Sequence, residues 1–141
     1  MPEPAAVLDA SLVLAWALPD EDAEGRAEAV LAHLTRGKIL VPAHWRAEVG
    51  NGVLMAYRRG RLALGSIAPI LAQASTLPLT VDAEGSHDAW AEPLRLSLAC
   101  GLTLYDAIYL ELAIRHAHAL ATLDAALREA ARERGVPLLP A

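Results

Sequence analysis

Four acidic residues, Asp9, Glu48, Asp106 and Asp124, stand in or at the edge of apolar segments. Their surroundings are Ala5-Ala6-Val7-Leu8-Asp9-Ala10-Ser11, Trp45-Arg46-Ala47-Glu48-Val49-Gly50-Asn51, Leu104-Tyr105-Asp106-Ala107-Ile108-Tyr109 and Leu120-Ala121-Thr122-Leu123-Asp124. A buried carboxylate without a partner is strongly destabilising, so each must be neutralised, paired with a base or turned toward a bound cation. The chain has 12 Lys plus Arg, and only Arg46 falls within these segments. A divalent metal is the economical partner. Carboxylates without His or Cys neighbours suit a hard ion such as Mg²⁺ or Mn²⁺, and such ions, kept partly hydrated, serve phosphoryl transfer at phosphodiesters.

Each acid alone also has a structural explanation. Asp9 follows a short apolar run, and it or Ser11 could simply cap the next helix. Thr103-Leu104-Tyr105-Asp106 has capping-box spacing, in which Asp106 would reach back to the cap residue. Asp124 precedes a helical segment and could cap it. Glu48 lies about 60° from the centre of a stripe formed by Trp45, Val49, Gly52 and Ala56, at about 100° per residue, so Glu48 and Asn51 could be a half-exposed polar edge.

The elements that must position these acids alternate between strand and helix. Ala5 to Leu8 is a short buried strand, followed by a helix that Pro19 stops. The acidic stretch Asp20-Glu21-Asp22-Ala23-Glu24 leads into a helix with Ala27, Val30, Leu31 and Leu34 on its apolar face. Ile39-Leu40-Val41 reads as a second strand, and Pro42 as the start of a helix through Arg59. A helix from about Leu64 to Leu77, a strand Leu79-Thr80-Val81 and a helix from about Ser86 to Cys100 follow. Thr103 opens the helix Leu104 to Ala117, Ala119-Leu120-Ala121 is a strand, Ala125 to Arg134 a helix, and Val136 to Leu139 a last extended segment. Short, continuously apolar strands alternating with helices imply an α/β fold of three layers, α/β/α, with a central, mainly parallel sheet flanked by helices. In such sheets ligands collect beyond the carboxyl ends of the strands, so one crevice could receive all four acids.

The 141 residues suit a single domain spanning 1–141, and 55% hydrophobic with 21% charged residues implies a folded chain. A net charge of −5 gives no electrostatic footprint of a duplex-binding protein. The lone Cys100 sits in an apolar run and excludes an internal disulfide. Nothing near the N-terminus is long or apolar enough to span a bilayer, so the expectation is a cytoplasmic protein without a membrane partner.

In this order, Val7-Leu8-Asp9-Ala10-Ser11, Val41 to Asn51, Leu102-Thr103-Leu104-Tyr105-Asp106-Ala107 and Leu120 to Asp124 resemble the four acidic motifs of the PIN-domain family, specifically VapC-type toxins of toxin-antitoxin pairs. The resemblance covers nearly the whole chain. It implies a Mg²⁺- or Mn²⁺-dependent endoribonuclease, silenced by a VapB-type antitoxin and expected to be a homodimer. It makes Asp9 and Asp106 the principal metal ligands, with Glu48 completing the set and Asp124 serving a second ion or its water. Ser11, Asn51 and Thr122 would hydrogen-bond the carboxylates and fix them. Arg58, Arg59 and Arg61, with Arg115 and His116 at another helix end, are the candidate cationic surface for RNA. Trp16, Leu18 and Val30 are either core or a partner groove.

Two other readings compete. A receiver domain or an aspartate-dependent phosphatase also places Asp after its first strand. The phosphatase, however, wants a second Asp where this chain has Ser11, and both use a late Lys, whereas the only lysine is Lys38. The other rival is a PIN-like module that binds protein without catalysis.

Overall fold

The computed structural model describes residues 3–22 and 24–141. Met1, Pro2 and Ala23, which belong to the N-terminal and acidic stretches read above, lie outside the described residues. The elements are β1 (Ala5–Leu8), α1 (Ala10–Ala17), α2 (Arg26–Leu34), β2 (Lys38–Pro42), α3 (Trp45–Arg58), α4 (Ile67–Ala74, entered through a 3₁₀ turn at Leu64–Ser66), β3 (Leu79–Asp82), α5 (Glu84–His87), α6 (Glu92–Cys100), α7 (Leu104–His116), β4 (Ala119–Ala121), α8 (Ala125–Glu133) and β5 (Leu138–Leu139).

The strands form one sheet in the order β3-β2-β1-β4-β5. Every pairing among the described residues is parallel, so the sheet expected to be mainly parallel is wholly so. A parallel sheet needs crossover helices over both faces, and β1 records their presence: Ala6, Val7 and Leu8, whose side chains alternate between faces, are all fully buried. Trp45, Val49, Val53 and Ala56 bury one side of α3, and Ala27, Val30, Leu31 and Leu34 one side of α2, as their spacing requires. Leu18 and Val30 are core residues, and half-buried Trp16 donates its indole N–H to Glu28. No single helix among the described residues is long and apolar enough to cross a membrane.

Two element boundaries differ from the sequence reading. Pro42 does not open α3 but ends β2 opposite Asp82 of β3. The register with β1 stops at Leu40, so the N–H that proline lacks falls past that ladder. The segment Ser86 to Cys100 is two helices rather than one. Pro93 sits in the first turn of α6, where a missing N–H leaves no bond unmade, whereas inside a continuous helix it would break one.

Polar bonds fix the helix ends that packing alone leaves loose. The Asp22 carboxylate accepts the N–H groups of Ala27 and Glu28, both at 3.0 Å, and these bonds hold its pKa down. Arg115 on α7 donates to Asp82 at 2.9 Å, Glu111 at 2.7 Å and Glu84 at 2.6 Å, tying the end of β3 and α5 to α7. Its guanidinium holds the Asp82 carboxyl below the usual carboxylate range.

Gly37 and Gly50 occupy opposite packing environments. A Cβ on Gly37 would lie 1.9 Å from the carbonyl oxygen of Pro4, which accepts the Lys38 N–H that starts the β1–β2 alignment. A Cβ on Gly50, inside α3, would meet nothing within 4 Å. Gly37→Ala is therefore expected to destabilise by about 1–3 kcal/mol and Gly50→Ala to stabilise by about 0.5–1 kcal/mol. Urea denaturation of the metal-free chain checks both, and a shift of the same sign in the two variants would contradict this packing.

Candidate metal centre

The chain leaves β1 for β2 on one side and returns to β4 on the other, so the strand order reverses at β1. A crevice beyond the carboxyl ends of β1 and β4 is the outcome of such a reversal. Asp9 follows β1 directly, Thr122 and Asp124 follow β4, and Glu48 lies on the first turn of α3 after β2. Because α7 leads back into β4, its N-terminus, carrying Asp106, lies over the same sheet edge.

Asp9 is 3% exposed and makes no side-chain cap bond to α1. Its backbone N–H donates to the carbonyl of Ala121, extending the β1–β4 ladder by one rung. Its Oδ2 accepts the hydroxyls of Ser11 at 2.5 Å and Thr122 at 2.8 Å. Those hydroxyl oxygens in turn accept backbone N–H groups, Ser11 from Leu123 and Thr122 from Asp124, both at 3.0 Å. Burial raises the Asp9 pKa, the two hydroxyl bonds oppose that rise, and the charge of Glu48 adds to it.

Asp106 resolves the capping ambiguity by making half of the box. Its N–H donates to Thr103 Oγ1 at 3.1 Å, while no return bond from its carboxylate occurs among the described residues. The side chain is thus left for the crevice. Partial burial, then the charges of Asp9, Asp124 and Glu48, push its carboxyl up to about 6. One oxygen each from Asp9, Glu48 and Asp106 lie within 4.8 Å of one another. No Lys or Arg is paired with any of the three among the described residues. Three oxygen donors at this spacing, two with carboxyl pKa values raised by burial and then by their acidic neighbours, fit a divalent hard cation.

Asp124 stands apart from this trio. Its Oδ2 accepts the Leu127 N–H at 2.9 Å and caps α8, although its charge still reaches Asp106. Ser11 and Thr122 hold Asp9 directly, whereas Asn51 is exposed and no hydrogen bond joins it to the acids among the described residues. A groove of about 450 Å³ runs from Ser11 and Leu123 past Leu14 and Leu18 to Arg59 and Arg61, with Arg61 paired to Glu21. Arg58 is exposed near its end. Arg115 is not a free cation, being enclosed by the three carboxylates described above.

An aromatic wall that the four acidic motifs do not announce borders the site, and the acids, read as having no histidine neighbours, do have one. His44, one helical turn before Glu48, places Nε2 2.9 Å from Glu48 Oε1, without hydrogen-bond alignment. Its ring lies 5.4 Å from that of Tyr105 and 5.2 Å, edge-on, from that of Tyr109. The signals were the four-residue spacing of His44 and Glu48 and the tyrosines flanking Asp106. Tyr109 is fully buried, and burial, followed by the charges of Asp9 and Glu48, raises its pKa and keeps it neutral.

Residues 6–133 match the family model described as PIN domain. The chain belongs to the PIN-domain family. PIN domains are typically metal-dependent nucleases, and the trio Asp9, Glu48 and Asp106 is this member's candidate metal-binding set. Among solved structures, this PIN domain is similar to the crystal structure of PAE2754 from Pyrobaculum aerophilum, with 23% identity and a TM-score of 0.71 over 98% of this chain and 85% of that one. At that identity the likeness speaks for the fold. A comparison with curated proteins finds no match.

Two outcomes test this electrostatic arrangement. A carboxyl raised from 3.8 in the unfolded chain to about 6 in the fold contributes stability below pH 4 that is lost as pH rises through 6. In metal-free protein, Asp106→Asn should remove that loss, gaining on the order of 1 kcal/mol over the parent between pH 4 and pH 7 after solvent screening. Thermal melts at both pH values check it, and a variant less stable than the parent at pH 7 would assign the Asp106 carboxylate to the cap. Thr122→Val removes a donor from Asp9 and should weaken Mn²⁺ binding by about 10- to 100-fold in calorimetry. Unchanged affinity would remove Thr122 from the site.

Proposed function

We propose that this PIN domain is a Mg²⁺- or Mn²⁺-dependent endoribonuclease, the toxin component of a type II toxin-antitoxin pair. The observation that carries the nuclease reading is the convergence of Asp9, Glu48 and Asp106 at a strand-order reversal with no Lys or Arg paired to them among the described residues. The RNA substrate and the toxin role rest on the four VapC-like motifs.

Asp9, Glu48 and Asp106 would hold the metal, with Asp124 at the edge for a second ion or its water. When bound, the metal lowers the pKa of a coordinated water and stabilises charge on the leaving oxygen. The chain's own contribution is preorganisation. Ser11 and Thr122 occupy Oδ2 of Asp9 and fix its orientation, Thr103 satisfies the helix end so that the Asp106 carboxylate stays in the crevice, and His44 lies beside Glu48. Buried Tyr109 and the α1 and α7 walls restrict water behind the acids.

The groove from Ser11 to Arg59 and Arg61 is a path by which an RNA backbone reaches the acids, with Arg58 at its end. A VapB-type antitoxin covering this groove would silence the enzyme, and a homodimer would pair two such sites. An RNA substrate of this kind fits a cytoplasmic location.

The test is incubation of a mixed cellular RNA pool with the purified, antitoxin-free chain in Mg²⁺ or Mn²⁺. Cleavage should disappear with EDTA and fall at least about 100-fold in Asp9→Ala and in Asp106→Asn. Absence of cleavage by the metal-loaded parent would favour a PIN domain that binds without catalysis.

A further inference from the structure

Tyr105 is 62% exposed, an unusual state for a large aromatic that adjoins a buried acidic site. Most apolar residues of α7 are accounted for by packing: Ala107, Ile108, Tyr109, Leu110, Leu112 and Ala113 are buried, and the other large exposed one, Ile114, lies at the far end of the helix from the acids. Tyr105 has no such role. Its ring is nevertheless not adrift, because it leans on His44, which is packed in turn against Tyr109 and lies 2.9 Å from Glu48. The three rings are in contiguous contact from the core outward, His44 edge-on to Tyr109 and Tyr105 tilted by 58° against His44, so the exposed Tyr105 ring lies one ring away from Glu48.

We propose that Tyr105 is a stacking platform for a nucleobase of single-stranded RNA adjacent to the scissile phosphate, backed by His44. The proposal rests on the nuclease reading for its substrate class. Charge favours this occupant. Of the cationic candidates, Arg61 is already paired to Glu21 and Arg115 is enclosed by carboxylates, which leaves Arg58 and Arg59, and a net charge of −5 adds no general attraction for a polyanion near three clustered acids. Stacking on a neutral ring gains affinity without phosphate contacts, and it tolerates any base because every base has a π-face. Duplex RNA would withhold its bases from such a ring, so the platform selects unpaired segments. Tyr105 is thus a positioning residue, setting where along the strand the phosphate meets the acids.

The test uses a fluorescently labelled single-stranded RNA oligonucleotide bound to the full chain in Ca²⁺, read by anisotropy, with cleavage in Mn²⁺ measured separately. Tyr105→Ala should weaken binding by about tenfold, within the 5- to 150-fold span of one base stack, while Tyr105→Phe and Tyr105→Trp retain it. An abasic nucleotide at the stacked position should weaken the parent by a similar factor and leave Tyr105→Ala unaffected. In Mn²⁺ the alanine variant should show a raised KM with nearly unchanged kcat, and its Mn²⁺ affinity should equal the parent's. Equal RNA affinity of parent and Tyr105→Ala, or no RNA binding by the parent, would overturn the platform. Tyr105-dependent binding without any cleavage would instead leave the platform standing and remove the nuclease.

Discussion

The structure depends on holding the Asp9 carboxylate at the carboxyl end of a parallel sheet without a positive side chain beside it. Burial alone would drive this group to its neutral form, and two hydroxyls, Ser11 and Thr122, work against that on a single oxygen. Their placement demands that β1 and β4 be neighbours, since Thr122 comes from the chain 113 residues away in sequence. The backbone bond from Asp9 to Ala121 locks that adjacency at the point where the chemistry needs it. Strand order, hydroxyl placement and acid geometry are therefore one constraint.

The same logic explains why the remaining acids arrive on helices. Strand ends of a parallel sheet supply backbone positions in a single row, and a metal needs donors from more than one direction. The first turns of α3 and α7 supply them from above the sheet edge. Thr103 is decisive here: by accepting the Asp106 N–H it satisfies the helix end and leaves the Asp106 carboxylate to the crevice. Asp124 shows the alternative fate, with its carboxylate spent on the N–H of Leu127.

Much of this was legible from the sequence because the strands are short, apolar and bounded. Ala5 to Leu8 and Ala119 to Ala121 announce themselves by continuous hydrophobicity, and the acids by interrupting it. What periodicity could not supply was which acids share a space. Asp9 and Asp106 are 97 positions apart by their numbering, and only the strand order brings them together. Pro42 and Pro93 blur the element boundaries in opposite ways, since Pro42 ends a strand where its type suits a helix start, and Pro93 opens α6 inside the segment Ser86 to Cys100 that reads as one helix. Asn51 fell short because helical spacing from Glu48 gives a similar direction but not a similar depth. His44 carries one local signal, its four-residue spacing from Glu48, but its ring partners Tyr105 and Tyr109 come from a helix some sixty positions on.

A divalent cation held by Asp9, Glu48 and Asp106 would account for the whole arrangement. Paramagnetic broadening of the amide spectrum on adding substoichiometric Mn²⁺ tests it most directly, because the effect decays steeply with distance from the ion. Signals of residues 8–11, 47–49, 104–107 and 121–124 should disappear first and together. Broadening spread over surface acids such as Glu92 and Glu129, with those four segments spared, would contradict it.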